Sequence, residues 1–180
     1  MRILKEHTMA VIIDIQERLF PHMYEYEALE KNINILIRGL KIIQVPLIVT
    51  EQYPKGLGLT IPSVAASLND YNALEKTTFS CCDDKGFLNI LSEFKPVHII
   101  IAGIETHVCI QQTAVDLLSS GYIPVVVADC VSSRKLSDKQ IALKRIKSEG
   151  GIIATYESVL FELLRDTGTV TFKEISKLVK

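Results

Sequence analysis

Three residues with reactive side chains stand at the ends of separate predicted strands. Asp14 closes the first apolar run of the chain, Lys76 closes the third, and Cys109 follows the fourth. A thiol attacks only after it is deprotonated, a carboxylate can take that proton, and an ammonium group stabilises the negative charges that result. Together the three side chains could supply the nucleophile, base and cation for attack on a carbonyl carbon.

The position of Cys109 favours such chemistry. The apolar run 97–103 gives way through residues 104–108 to a helical pattern. A strand that turns sharply into a helix leaves backbone N–H groups unpaired at the helix start, and the helix dipole favours a thiolate there. We therefore expect a thiol at this position that can attack a carbonyl.

Each of the three residues also has a structural interpretation. Cys109 could be a small, packed core residue. Asp14 could cap the following segment through the N–H groups of Gln16 or Glu17. Lys76 could be an ordinary solvated surface lysine. Local sequence does not decide between these interpretations and catalysis.

The elements that must position these residues alternate between short apolar runs and helical patterns, which is typical of βαβ units and a parallel sheet. Ligands in such folds bind outside the carboxyl ends of the strands, so the three residues are expected to meet in one crevice. Strands are predicted at 9–13, 46–50, 73–76, 97–102, 123–128 and 152–154. Helices are predicted at about 29–40, 63–69, 86–94, 107–120 and 157–165, with capping boxes opening two more at Ser137 and Thr171.

The last predicted helix carries an apolar edge, formed by Ile175, Leu178 and Val179, that could pack internally or against another subunit. The segment 51–62 has turn residues and no clear period, which makes it a candidate lid or pocket wall.

Composition narrows the class of function. The 180 residues are 48% apolar without a long polar stretch, which predicts one domain over residues 1–180. Twenty basic and 21 acidic residues, without runs of either sign, favour small-molecule chemistry over nucleic-acid binding. The polar start of the chain does not resemble a signal peptide, and no apolar stretch reaches the roughly 20 residues that span a bilayer. We expect a cytoplasmic protein with reduced cysteines and no membrane contact.

Residues 11–16, 75–80 and 102–114 resemble the three signatures of the isochorismatase-like cysteine hydrolases, and 126–134 and 157–163 are similar to further segments of that superfamily. The chain is more similar to its metal-free, isochorismatase domain-containing branch than to the nicotinamidases. The resemblance implies a three-layer αβα sandwich with helices on both faces of a six-stranded parallel sheet, in the order 3-2-1-4-5-6.

The resemblance also implies roles for the reactive residues. Asp14 would be the general base, Lys76 the cationic partner and Cys109 the nucleophile. The implied reaction is hydrolysis of a C–N bond in a small amide-type substrate through a thioester on the cysteine. The alternative is a catalytically weak or inactive protein that keeps the fold for binding or as a scaffold.

In the family the peptide bond before the residue four places ahead of the cysteine is cis, which here falls between Ile104 and Glu105. The resemblance implies that the N–H groups of Glu105 and Cys109 form an oxyanion hole. The alternative is an ordinary strand-to-helix turn with Thr106 as its N-cap.

No metal and no cofactor are expected. Nicotinamidases carry an Asp and several His ligands after the second strand, whereas residues 50–56 contain no histidine here, and the four histidines of the chain lack ligand spacing.

His107 could point into the crevice, although a solvent-facing position is commoner at a helix start. True isochorismatases hydrolyse a vinyl ether without this cysteine, so Cys109 argues against that reaction.

Three further residues are candidates for substrate binding. Phe20 and Tyr53 lie in loops that could line the crevice, although aromatic residues in such loops more often pack. Arg134 could hold a carboxylate with two hydrogen bonds, or form a structural ion pair. The expected partners are a small-molecule substrate and further copies of the chain, because similar proteins often assemble as oligomers.

Overall fold

A computed structural model describes residues 2–180 and contains one six-stranded sheet. The strands are β1 (Thr8–Ile13), β2 (Leu47–Gln52), β3 (Ala73–Lys76), β4 (His98–Ile104), β5 (Ile123–Ser132) and β6 (Ile152–Ala154). Their order is β3-β2-β1-β4-β5-β6, and each neighbouring pair is parallel. The predicted fold class and strand order are therefore confirmed.

Eight α-helices connect and follow the strands. They are α1 (Tyr26–Ile43), α2 (Pro54–Leu57), α3 (Pro62–Leu68), α4 (Lys85–Phe94), α5 (Gln111–Ser119), α6 (Leu136–Ser148), α7 (Tyr156–Leu164) and α8 (Val170–Leu178). Within residues 2–180, none of the helices combines the length and the apolar character needed to cross a membrane.

The protein has two hydrophobic cores, one on each face of the sheet, because successive side chains of a strand point to opposite faces. In β1, Ala10 and Ile12 join the core that is covered by α1, α3, α7 and α8. Met9, Val11 and Ile13 join the core covered by α4, α5 and α6. A nearly continuous apolar run is thus required at β1, since both of its faces are buried.

The apolar edge of α8 packs internally. Ile175 is fully buried in the first core, and Leu178 and Val179 pack against the same cluster. Of the two arrangements open from the sequence, the structure adopts the one that closes the core within a single chain.

Two predicted helix starts are wrong. Helix α8 begins at Val170, where the Thr169 hydroxyl accepts a hydrogen bond from the Phe172 N–H at 3.0 Å, so Thr171 is not the cap. Helix α6 begins before Ser137, without a capping hydrogen bond from a side chain. A side-chain cap forms only where the residue before the helix has an extended backbone and a side-chain oxygen within reach of the first N–H groups, and sequence spacing alone does not specify that geometry.

Gly103 brings the ends of β1 and β4 together. Its φ is +130°, and a Cβ atom built on it would lie 2.1 Å from the backbone oxygen of Ile13. No side chain fits into that gap, so the two backbones approach more closely here than any other residue would permit. The approach places the residue after β1 beside the turn that follows β4.

Candidate active site

Asp14 lies directly after β1 and is held by two hydrogen bonds to its carboxylate. Thr50 Oγ1 donates to Oδ1 at 2.7 Å, and Lys76 Nζ donates to Oδ2 at 2.6 Å. The backbone of Asp14 is left-handed, with φ of +53°, a conformation that Asp tolerates better than most residues. The Gln16 N–H bonds to the backbone oxygen of Asp14 and not to its carboxylate. Asp14 is therefore not a helix cap.

Lys76 ends β3 with its side chain fully buried. Its ammonium group donates to Asp14 and to the backbone oxygens of Thr78 and Phe79, at 3.0 and 3.4 Å. An ammonium has three hydrogens to donate, and each has an acceptor here. A buried charge is stable only when it is paired in this way, so the interpretation of Lys76 as a solvated surface lysine is wrong.

Cys109 lies in a π-helical turn, Thr106–Ile110, that joins β4 to α5. It is 4% exposed, and its Sγ lies 3.5 Å from Oε1 of Gln52. Burial raises the pKa of the Cys109 thiol, and the negative charge of Asp14 raises it further, against an opposing effect of Lys76. The expected preference for a thiolate is therefore wrong for the protein at rest, because burial outweighs the helix start and the neighbouring cation.

The turn before Cys109 begins with a cis peptide bond between Ile104 and Glu105. The backbone oxygen of Glu105 accepts hydrogen bonds from the N–H groups of Val108 and Ile110, at 3.1 and 3.2 Å. Thr106 lies inside the turn, where its hydroxyl is buried, and the N-cap position is occupied by Glu105. Thr106 is therefore not the N-cap.

The structure places two of the three candidate substrate-binding residues at the surface. Tyr53 is 58% exposed and lines a cavity of about 350 Å³ at the carboxyl ends of β2 and β3, together with Lys76. Cys109 is not among the residues that line this cavity. Arg134 donates from Nε to Glu105 Oε1 at 2.8 Å, with 62% of its side chain exposed. It thus forms the structural ion pair that was one of its two predicted interpretations.

Phe20 does not line the cavity. Its ring is 3% exposed, belongs to the first core and packs edge to face on Tyr26, with ring centroids 6.3 Å apart. The prediction that Phe20 contacts the substrate has no support from this placement, because its apolar surface is already used in packing.

Residues 8–158 match the isochorismatase domain family. The chain belongs to the isochorismatase family. Isochorismatase family protein 1B of Dictyostelium discoideum is 36% identical over an alignment 183 residues long, which covers 99% of this chain and 89% of the relative.

Solved structures of other proteins share this fold. A Caenorhabditis elegans protein described as MAR1 ribonuclease superimposes with a TM-score of 0.93 at 35% identity, over 99% of this chain and 92% of the other. The YcaC gene product of Escherichia coli, described as an octameric hydrolase of unknown specificity, gives a TM-score of 0.92 at 22% identity, over 98% and 90% of the two chains. The second comparison shows a shared fold.

The sequence assigned no role to two polar residues of β2, Thr50 and Gln52. Thr50 begins the polar half of this strand, and a polar residue that is fully buried there was a usable signal for its contact with Asp14. Nothing in the sequence around Gln52 indicated its contact with Cys109. His107, for which the sequence left a crevice-facing and a solvent-facing position open, is partly exposed, and its Nδ1 lies 2.9 Å from the Ser133 hydroxyl.

The described part of the chain, residues 2–180, contains no group of three or more His, Cys, Asp or Glu side chains arranged to hold a metal ion. That the proposed chemistry needs no metal stays a prediction. All four cysteines are free thiols in the structure.

Proposed function

We propose that this protein is a metal-independent cysteine amidohydrolase that cleaves a C–N bond of a small amide through a thioester on Cys109. The observation that carries the proposal is the buried ion pair of Asp14 and Lys76, 2.6 Å apart, at the edge of the sheet where the buried thiol of Cys109 follows β4. Such a thiol is protonated at rest and needs a neighbouring base to become a nucleophile.

The first half of the reaction forms the thioester. Asp14 takes the proton from Cys109 Sγ as the sulfur attacks the carbonyl carbon, so a C–S bond forms and the carbonyl oxygen gains a negative charge. The N–H groups of Glu105 and Cys109 are the proposed donors to that oxyanion. Asp14 then passes its proton to the leaving nitrogen, the C–N bond breaks, and ammonia or an amine departs.

The second half releases the acid. Asp14 takes a proton from a water molecule while the oxygen of that water attacks the thioester carbon. The C–S bond breaks, the sulfur takes back a proton, and a carboxylic acid leaves. Throughout, the positive charge of Lys76 offsets the negative charges on Asp14, the sulfur and the tetrahedral intermediates, at a site where water screens them weakly.

The cavity beside Lys76 favours a small polar substrate. The cavity beside Lys76 is lined by the ring of Tyr53 and by charged groups of both signs, Lys55, Glu75 and Asp84. We propose Tyr53 as an apolar contact for the substrate. We also propose the exposed Arg134 as a group that binds a substrate carboxylate.

Alkylation of Cys109 by iodoacetamide tests the base, followed by mass spectrometry across pH. With Asp14 as base, the wild-type rate is expected to be flat through neutral pH and to rise only where the thiol itself ionises. Asp14→Asn is expected to lower the neutral rate about 100-fold, the size of a general-base effect. The thiolate of the variant should nevertheless appear at lower pH, because the Asp14 charge that raises the pKa of Cys109 is gone.

The controls are matched to this design. Glu93→Gln removes an exposed carboxylate on α4 and should leave the profile unchanged. A small free thiol added to each sample is the reference, because burial raises the pKa of Cys82 to about 12. If wild type and Asp14→Asn both follow the profile of a free thiol, Asp14 is not the base and the alternative of a binding or scaffold protein is favoured.

Turnover is tested by measuring ammonia release from a panel of small carboxamides and carbamoyl compounds, with Cys109→Ala as the blank. An RNA oligonucleotide belongs in the same panel because of the activity named for the C. elegans relative. The net charge of −1 does not favour RNA as the substrate. RNA cleavage that disappears in Cys109→Ala, without ammonia release from any amide, would contradict the proposal.

A further inference from the structure

The last residue of β2 contacts the proposed nucleophile. Gln52 lies opposite Lys76 in the register of β2 and β3, and its Oε1 accepts a hydrogen bond from the Cys109 thiol at 3.5 Å. The proposed hydrolysis as written above gives Gln52 no role.

A second glutamine fixes the backbone from which Gln52 projects. The fully buried Gln16 accepts from the Gln52 N–H at 2.8 Å and donates to the Gln52 backbone oxygen at 3.1 Å and to that of Gly58 at 2.7 Å. The side-chain amide of Gln16 thus bridges both sides of residue 52. These bonds of Gln16 are to the backbone of Gln52 and leave its side-chain amide outside the bridge.

The side-chain amide of Gln52 has an unused half. Within residues 2–180, its Nε2 donates no hydrogen bond, and the residue is partly exposed. The oxygen and NH2 group of an amide are nearly identical in shape, so half a turn about the last side-chain torsion exchanges them without new space. Among the described residues, the hydrogen bond to Cys109 is the one that this turn breaks.

We propose that Gln52 is a positioning residue that serves Cys109 in both of its protonation states. At rest its oxygen accepts a hydrogen bond from the Cys109 thiol. The S–H group turns from this oxygen to Asp14 when the proton is transferred. After Asp14 has taken the proton, half a turn of the amide brings the NH2 group to the thiolate, to which it donates a hydrogen bond. The inference rests on the proposed function, in which Cys109 is the nucleophile.

The other groups around the sulfur leave this role open. Asp14, at the end of β1, and Cys81, in the turn after β3, both raise the pKa of Cys109, and Lys76 lowers it. Lys76 already directs its three hydrogens to Asp14 and to two backbone oxygens. A thiolate at this position therefore needs a donor from elsewhere, and Gln52 is within reach.

Two substitutions of equal length test the proposal. Gln52→Met keeps the shape and removes both hydrogen-bonding groups. Gln52→Glu keeps an acceptor, cannot donate when ionised, and adds a negative charge. Since a hydrogen bond to a charged group is the stronger kind, we expect Gln52→Met to slow iodoacetamide alkylation of Cys109 by about tenfold at neutral pH. The rise in rate should also move to higher pH, and Gln52→Glu should shift it further than Gln52→Met.

Gln112→Met is the matched control, because Gln112 is exposed on α5, and it should behave as wild type. Urea unfolding of each variant separates positioning from a loss of fold. A pH profile unchanged in both Gln52 variants would overturn the proposal. So would equal shifts in the two variants together with lowered unfolding midpoints, since a structural role does not depend on charge.

Failure of this inference can be told apart from failure of the proposed function. The high-pH rise reports how stable the Cys109 thiolate is, whether or not Asp14 is the base. Suppose that Asp14→Asn leaves the alkylation rate at neutral pH unchanged, while the Gln52 variants shift the pH at which the rate rises. The assignment of Asp14 as base then fails, and the role of Gln52 stands. If Asp14→Asn lowers the neutral rate and the Gln52 variants shift nothing, the base assignment stands and the role of Gln52 fails.

Discussion

At the scale of single residues, the candidate site depends on one buried ion pair. Lys76 Nζ lies 2.6 Å from Asp14 Oδ2, and neither side chain has more than 1% of its surface exposed. Two charges at this depth stabilise each other, because the removal of one leaves the other in a medium that solvates it poorly. The groups that are proposed to drive the chemistry therefore also contribute to the stability of the fold.

This dependence predicts a specific pattern of stability changes. Lys76→Met should lower the free energy of unfolding by about 3–5 kcal/mol, because the Asp14 carboxylate loses its buried partner. Adding Asp14→Asn to that variant should restore part of the loss, since no unpaired charge remains. Urea denaturation measures both variants, and Lys173→Met, at an exposed position of α8, is the control. Additive losses in the double variant would contradict the coupling.

The sequence predicted the members of this site better than their electrostatics. Asp14, Lys76 and Cys109 could be placed near one another because parallel strands bring their carboxyl ends to one edge of the sheet. The direction of the Cys109 pKa could not be predicted, because it depends on burial and on distances to charges. The contact between Gln52 and Cys109 was not predicted for a similar reason, since it depends on side-chain geometry.

At the scale of elements, the site depends on how closely β4 approaches β1. The hypothetical Cβ at Gly103 would lie 2.1 Å from Ile13 O and 2.7 Å from Ile13 N, so backbone atoms, not flexible side chains, fill the space. Asp14 is the next residue after Ile13. Any widening of this junction therefore moves the proposed base relative to the turn that carries Cys109.

Gly103→Ala should accordingly be severely destabilising, by more than about 3 kcal/mol, because it adds a backbone clash to an unfavourable φ. Gly121→Ala separates these two effects, since Gly121 also has a positive φ, of +85°, but has no atom within 4 Å of the new Cβ. We expect the second variant to lose about 1 kcal/mol. Expression level and urea midpoints compare the two, and similar losses would show that the close approach is unimportant.

Element boundaries show where sequence patterns stop being informative. Apolar runs located β1, β2, β4 and β5, because strands buried on both faces must be largely apolar. The edge strands β3 and β6 are only partly buried, and their short runs were weaker signals. The apolar pattern did not predict that β5 continues to Ser132, since the polar residues there join the sheet through backbone hydrogen bonds that do not depend on residue type. The capping predictions at Ser137 and Thr171 failed in the same way, because the local backbone decides which hydroxyl can cap.

At the scale of the whole molecule, the terminal helix does not provide a free face for assembly. Ile175 is fully buried against the chain's own core, so the apolar edge of α8 is already used. The buried edge of α8 therefore gives no evidence for an interface between copies of the chain. The expectation of an oligomer now rests on similar proteins, among them the E. coli neighbour that is described as octameric.

We nevertheless predict a homo-oligomer, and light scattering coupled to size-exclusion chromatography is the direct measurement. The chain has a mass of 20.1 kDa, so an assembly should elute with a whole-number multiple of that mass. Association between copies follows mass action, so the measurement should span at least a hundredfold range of protein concentration. A mass of one chain at every concentration would contradict the prediction. It would also mean that the partly exposed cavity beside Lys76 faces solvent during turnover, leaving Tyr53 and its neighbours to exclude water without help from a second subunit.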